Sequence, residues 1–233
     1  KTNINGAMNL IDIAIDRGIK KVVALSTDKA CSPINLYGAT KLISDKVFIS
    51  SNSYTGDSDT SFSVVRYGNV MGSRGSVITL FLEKAKDESL PITDERMTRF
   101  MITLNDAIEL VWHAFEDMHG GEIYVKKLKS MKIIDIAKAI NPNAKHSIIG
   151  IRAGEKLHEQ MISKDDAAYT YEYQDYFKIL PSINNWSSDK DRINDGKLVN
   201  PEFSYSSDVN NDWMGEKELK LWIKNNTHLI NKI

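Results

Sequence analysis

Apolar residues recur at Ala7, Leu10, Ile11, Ala14 and Ile15, a spacing that predicts a helix over residues 3–17 with Gly18 as its terminator. The run Lys20-Lys21-Val22-Val23-Ala24-Leu25-Ser26 is short, continuous and β-branched, so it reads as a buried parallel strand. A helix is predicted from residue 37 to about 53, and Ser61-Phe62-Ser63-Val64-Val65-Arg66-Tyr67 alternates before turning apolar, as a second buried strand does. Thr103-x-x-Asp106 ahead of Ala107, Ile108, Leu110, Val111 and Ala114 has the form of a capped helix start, and Glu122-Ile123-Tyr124-Val125 reads as the next strand. Helix and strand alternate, so a parallel sheet is predicted. From Lys126 the pattern shortens to a helix near 132–140, a strand at 147–151, a helix near 154–162 and a polar, Tyr- and Asn-rich tail ending in a helix near 216–225.

Composition narrows the partner. A chain of 233 residues can bury one good core or two small lobes. A formal charge of -1 leaves no electrostatic footprint for nucleic acid or a membrane surface, so a small molecule is the expected partner. The single cysteine, Cys31, excludes an internal disulfide framework and reads as a small buried filler. No apolar run has the length of a membrane span or the pattern of a signal peptide, and a cytoplasmic setting is expected. His113, His119, His146, His158 and His228 lack ligand spacing, so no metal is assigned.

Candidate chemistry concentrates in residues 26–41. Ser26 and Thr27 fall at the carboxyl end of the first strand, where open α/β sheets place their ligand crevice. Asp28 and Lys29 add an acid and an amine. Tyr37 and Lys41, four residues apart, share one face of a helix. The ammonium of Lys41 is therefore expected to favour the ionised phenol, lowering a pKa that starts at about 10 and making a base of Tyr37. A dinucleotide site also needs a glycine-rich strand-to-helix turn for its pyrophosphate, and the chain has no Gly-x-x-Gly-x-x-Gly.

Strand end, Ser26-Thr27 and Tyr37-x-x-x-Lys41, in that order, resemble the extended, nucleotide-sugar-modifying branch of the short-chain dehydrogenase/reductase superfamily. Within it, Thr27-Asp28-Lys29-Ala30, Asn35-Leu36-Tyr37-Gly38-Ala39-Thr40-Lys41 and Arg66-Tyr67-Gly68-Asn69-Val70-Met71-Gly72-Ser73-Arg74-Gly75-Ser76-Val77 resemble the inverting UDP-N-acetylglucosamine 4,6-dehydratases of pseudaminic acid and related bacterial surface-glycan pathways. Pro91-Ile92-Thr93-Asp94, Arg96-Met97-Thr98-Arg99-Phe100 and Gly154-Glu155-Lys156-Leu157-His158-Glu159 continue the match, with a looser one at Phe203-Ser204-Tyr205-Ser206-Ser207. One departure is Ala153, where the family usually has proline, a change expected to loosen a turn.

The resemblance implies an α/β fold: a Rossmann-like parallel sheet whose amino-terminal half is missing, with a smaller carboxyl-terminal substrate-binding lobe. Residues 1–72 and 103–126 would form the partial dinucleotide-binding domain, and 73–102 and 127–233 the nucleotide-sugar lobe. Because the opening Lys1-Thr2-Asn3-Ile4-Asn5-Gly6 resembles the middle of the family's sequence, roughly a hundred residues are expected ahead of it. The implied reaction is NADP-dependent 4,6-dehydration of UDP-N-acetylglucosamine with inversion at C5, NAD staying open as the cofactor. By the same resemblance Tyr37 takes the O4 proton with help from Lys41, Thr27 hydrogen-bonds that oxygen, Lys29 is the base at C5 and Asp28 protonates the departing C6 hydroxyl. Retaining relatives carry Asp-Glu where this chain has Asp28-Lys29, which selects the inverting branch. As a base Lys29 must be neutral, and desolvation and nearby Lys41 are expected to lower its pKa. Ser26, Tyr37, Lys41, Tyr67 and Asn69 would hold the cofactor. Asn69, Val70, Arg74, Ser76, Arg99, Arg152 and Glu155 would hold the nucleotide sugar, guanidinium groups suiting a diphosphate, while Gly72 and Gly75 shape a loop. A homo-oligomer is implied too. Two other readings stand beside this one: a UDP-sugar epimerase or reductase of the same fold, and a non-catalytic UDP-sugar-binding or assembly module.

Overall fold

Helix α1 (Thr2–Asp16) buries Ala7, Ile11 and Ala14 and gives way to Gly18, whose φ of +61° makes the left-handed turn that glycine adopts at least cost. The computed structural model describes all residues except 57, 74, 183–188 and 231–233, and the backbone alone of 227–230. Strand β1 (Lys21–Thr27) runs through a single 3-10 turn at Asp28–Ala30 into α2 (Leu36–Ser51), where Asn35 caps the helix by accepting from the Gly38 amide at 2.8 Å. Then come β2 (Ser61–Tyr67), β3 (Asn69–Val70), α3 (Val77–Glu83), β4 (Ser89–Ile92), β5 (Thr98–Ile102) and α4 (Leu104–Asp117). Helix α4 starts as its spacing predicts: Thr103 Oγ1 accepts from the Asp106 amide at 3.1 Å and donates to the Asp106 carboxylate. The remaining elements are β6 (Ile123–Lys126), β7 (Ser130–Lys132), α5 (Ile133–Ile140), β8 (Lys145–Ile148), β9 (Gln160–Ile162), β10 (Thr170–Glu172), β11 (Tyr176–Ile179), α6 (Lys190–Ile193), β12 (Lys197–Leu198), β13 (Tyr205–Ser206) and α7 (Glu216–Ile230).

One compact unit comprises residues 1–67, 108–127 and 160–205. Its sheet has the order β1-β2-β6-β11-β10-β12. The pairs β1–β2 and β2–β6 are parallel, as the alternation of helix and strand predicts, and Thr27 stands in register with Tyr67, so both strands end side by side. Beyond β6 the sheet differs from the parallel reading, because β11, β10 and β12 join it antiparallel. The sequence pattern predicts a helix end and then a polar tail here, within a lobe over 127–233; residues 160–205 instead pack with this unit because their strands extend its sheet. Buried Phe177 and Ile179 supply the apolar face, and Tyr173 stacks on Tyr176 at 4.5 Å. The buried Lys178 ammonium is satisfied by the Asp117 carboxylate at 2.6 Å and the Arg192 carbonyl at 2.8 Å. Burial pushes the Asp117 carboxyl up, but bonds from Lys178 and Tyr124 outweigh it and hold the group below the usual carboxylate range.

The second unit comprises residues 68–107, 128–159 and 206–233. Short ladders build it, with β3–β5 and β4–β8 parallel and β5–β7 antiparallel, around a core that includes Ile78, Phe81, Leu90, Ile92, Met131, Ile136 and Leu219. The strand predicted at 147–151 lies earlier, at Lys145–Ile148, because Gly150 turns the chain at a φ of +85°. No helix forms over 154–162. Gly154 takes a φ of +79°, and the Leu157 carbonyl accepts from the Thr98 amide at 3.2 Å and from Arg99 at 3.1 Å, so it serves β5 and not a helical turn. Residues 160–162 of that predicted helix are strand β9.

Candidate active site

Extended Thr27 ends β1 and caps the 3-10 turn behind it, its Oγ1 accepting from the Lys29 amide at 3.3 Å. That turn folds Asp28 inward until it is fully buried. Its Oδ1 accepts from Thr27 Oγ1 at 2.8 Å and from Lys29 Nζ at 3.0 Å, while Oδ2 is enclosed with no hydrogen-bond partner. Lys29 is 36% exposed, so the acid is shielded while its amine partner reaches outward. The pair is thus no surface ion pair: it has one buried member with an acceptor to spare. A single proton moving along the 3.0 Å contact converts carboxylate and ammonium into carboxylic acid and free amine.

Tyr37 opens α2 and is half exposed. One turn later Lys41 Nζ donates to the Leu25 carbonyl at 2.7 Å, which ties the helix to β1 and leaves two further N–H groups of the ammonium for a ligand. Burial pushes the Tyr67 phenol above its ordinary value, and the neighbouring Tyr37 phenol adds to the shift. Ser26 is buried and donates to Asp45 at 2.6 Å. Ser26, Thr27, Asp28, Lys29, Tyr37, Lys41 and Tyr67 therefore all lie in the first unit, at the carboxyl ends of β1 and β2 and the start of α2. The sequence reading missed Asp45 and Arg66, whose side chains meet at 3.4 Å beneath this group. A signal existed: Tyr37, Lys41 and Asp45 are spaced by four, and Arg66 is a charge in an otherwise buried strand, which demands a partner.

In the second unit Asn69 and Val70 form β3, in register with Met101 and Ile102. Ser76 uses its hydroxyl to cap α3, accepting from the Thr79 amide at 3.4 Å, and Gly72 and Gly75 take φ of +79° and +75°, as loop-shaping glycines do. Arg74 lies outside the described residues. Arg99 is buried, donates to the carbonyls of Thr98 and Leu157, and faces Glu155 at 3.7 Å and Glu159 at 3.5 Å. Its guanidinium is committed to holding this corner, so the expectation that it grips a diphosphate meets a side chain with little surface left to offer. Arg152 is exposed on the tight turn, where its amide donates to the Glu155 carboxylate at 3.4 Å.

The profile of the polysaccharide biosynthesis protein family matches residues 1–181. The UDP-N-acetylglucosamine 4,6-dehydratase (inverting) of Campylobacter jejuni subsp. jejuni serotype O:2 is 56% identical over 226 residues, 94% of this chain and 68% of that protein. The chain belongs to this polysaccharide biosynthesis family, among its inverting 4,6-dehydratases. A protein of another activity is also similar to the chain: the UDP-glucose 4-epimerase of Rickettsia massiliae is 42% identical over 183 residues, 76% of this chain and 54% of the epimerase. The crystal structure of Pen from Bacillus thuringiensis superposes with a TM-score of 0.85 at 35% identity, over 97% of this chain and 68% of that one. The Rossmann-like α/β fold is therefore that of the family. Among the described residues no helix is long and apolar enough to cross a membrane, and no cluster of His, Cys, Asp or Glu is placed to hold a metal ion.

Proposed function

We propose that this family member catalyses 4,6-dehydration of UDP-N-acetylglucosamine with inversion at C5, yielding a UDP-2-acetamido-2,6-dideoxy-4-keto-hexose. The observation that carries the reading is the Asp28–Lys29 pair, an acid and an amine 3.0 Å apart at the strand end beside Tyr37 and Lys41. An epimerase has no use for a second acid–base pair. Tyr37 takes the proton of O4 and Thr27 hydrogen-bonds that oxygen. Once C4 is a ketone, C5 is acidic; Lys29 as free amine removes its proton, and Asp28 as carboxylic acid gives a proton to the C6 hydroxyl, which leaves as water. C5 is then reprotonated on the opposite face.

A nicotinamide cofactor, NADP in our reading, supplies when bound the two-electron oxidation taken at C4 and returned at C6. The donor set fits it: parallel strands ending side by side, a half-exposed phenol next to Tyr67, and an ammonium with N–H groups to spare. Ser26, Tyr37, Lys41, Tyr67 and Asn69 are the residues we assign to it. The nucleotide sugar is assigned to Asn69, Val70, Arg74, Arg152 and Glu155, with Ser76 shaping the loop and Arg99 holding Glu155. Self-association is supported by Met8, Leu10 and Ile13, all exposed on α1, and a cytoplasmic setting by a sole cysteine that is a buried thiol. Turnover in deuterated water tests the assignment: deuterium is expected at C5 of a product with inverted configuration, whereas a product trapped early with the gluco configuration at C5 places the enzyme among retaining dehydratases.

A further inference from the structure

Asp45 follows Lys41 by one helical turn and Tyr37 by two, so all three occupy one face of α2. Its buried carboxylate accepts from Ser26 Oγ at 2.6 Å, while Lys41 bonds the carbonyl of Leu25 at 2.7 Å. Two successive turns of the helix thereby hold two successive residues of β1, immediately before Thr27-Asp28-Lys29. Arg66 completes the joint from β2. It stands in register with Ser26, places Nη2 at 3.4 Å from Asp45, and donates through Nη1 to the Met161 carbonyl of β9 at 2.8 Å. Asp166 lies 3.9 Å from the same guanidinium.

We propose that Asp45, with Arg66 as its counter-charge, is a positioning residue that fixes the helix carrying Tyr37 and Lys41 against the strand end carrying Thr27, Asp28 and Lys29. Burying this pair is costly: burial pushes the Asp45 carboxyl up, and Arg66, Ser26 and Lys41 only partly draw it back. Apolar side chains would fill the same space at less cost. What they would not supply is a directed bond from the helix to the residue preceding the acid–base pair. Reacting groups misplaced by about 1 Å lose on the order of a hundredfold in rate, so the bond matters most to the chemical steps. The inference rests on the dehydratase reading for the steps at C5 and C6. Oxidation at C4, which uses Thr27, Tyr37, Lys41 and the cofactor and has no need of Asp28 and Lys29, is common to dehydratases and epimerases of this fold.

The test uses the intact protein with Asp45→Asn, Ser26→Ala and the double variant, read by kcat, by KM for the UDP-sugar, by melting temperature and by the transient at 340 nm that reports oxidation at C4. Asp45→Asn is expected to lower kcat by about ten- to a hundredfold with KM changed less than about twofold. Asp45→Asn removes the charge facing Arg66 and Ser26→Ala the hydroxyl that Asp45 accepts from; both act on the one joint, so the double variant is expected to be little slower than the slower single one. If Asp45→Asn does not fold, Asp45→Glu keeps the charge pair and shifts the joint by one methylene; a folded, slow Glu variant is expected. A folded Asp45→Asn or Asp45→Glu enzyme with parental kcat, a loss confined to KM, or full additivity with Ser26→Ala overturns the proposal. Should the parent show the 340 nm transient but form no 6-deoxy product, the dehydratase reading fails, while the transients of parent and variants still decide the role of Asp45.

Discussion

A buried carboxylate with one oxygen accepting two hydrogen bonds and the other unpartnered is asymmetric, and Asp28 is such a group. Oδ1 is held by Thr27 and Lys29; Oδ2 is enclosed and needs a donor or a proton. Lys29 differs in being part exposed, and its ammonium is also the counter-charge of the buried Asp28, so its removal takes away the base and that partner together. Lys29→Ala is therefore expected to abolish dehydration, by a factor on the order of 10² to 10⁴, with the 340 nm transient retained and UDP binding by calorimetry unchanged. Near-parental turnover in that variant would exclude Lys29 as the C5 base.

Helices and strands here meet at glycines as much as at apolar side chains. A Cβ on Gly38 would stand 2.2 Å from the Lys29 carbonyl oxygen, so the first turn of α2 can rest on the Asp28–Ala30 turn only because position 38 has no side chain. Gly6 is the contrast, a helical glycine of α1 with nothing within 4 Å of an added Cβ. Propensity alone favours alanine at both by about 1 kcal/mol. Gly6→Ala is expected to gain roughly 0.5–1 kcal/mol in urea unfolding with activity unchanged. Gly38→Ala is expected to lose stability and most of its turnover, since the strain falls between Tyr37 and Lys29. A Gly38→Ala enzyme as fast and as stable as its parent would mean that the helix does not bear on that turn. The sequence makes Gly38 visible within Tyr-Gly-Ala-Thr-Lys, but the carbonyl it must clear is visible only in the fold.

Across the whole molecule, what was legible in the sequence follows from how local each signal is. The cap at Thr103, the stripe of α1 and the apolar run of β2 are set by neighbours within a few residues and stand where the pattern puts them, whereas β1, read as buried, is an edge strand with Leu25 exposed. The antiparallel β10–β12, the turn that replaces the helix at 154–162 and the Asp45–Arg66 joint are set by partners far along the chain, which periodicity cannot register. The same distinction separates two arginines assigned to one ligand by resemblance. Arg152 is exposed on its turn, whereas Arg99 is buried against Glu155 and Glu159. Arg152→Ala should thus act on affinity alone, weakening UDP binding by calorimetry about tenfold, the loss of one charge-assisted contact, with melting temperature and saturated kcat nearly unchanged. Arg99→Leu removes the buried guanidinium that faces Glu155 and Glu159 and should cost about 3–5 kcal/mol of stability, with weaker binding only as a consequence. Lys29 is assigned to the reacting atoms and Arg152 to the nucleotide, so kcat is the parameter that Lys29→Ala moves and KM the one that Arg152→Ala moves. An Arg152→Ala enzyme with parental UDP affinity, or one whose melting temperature falls as far as that of Arg99→Leu, would remove Arg152 from the nucleotide site.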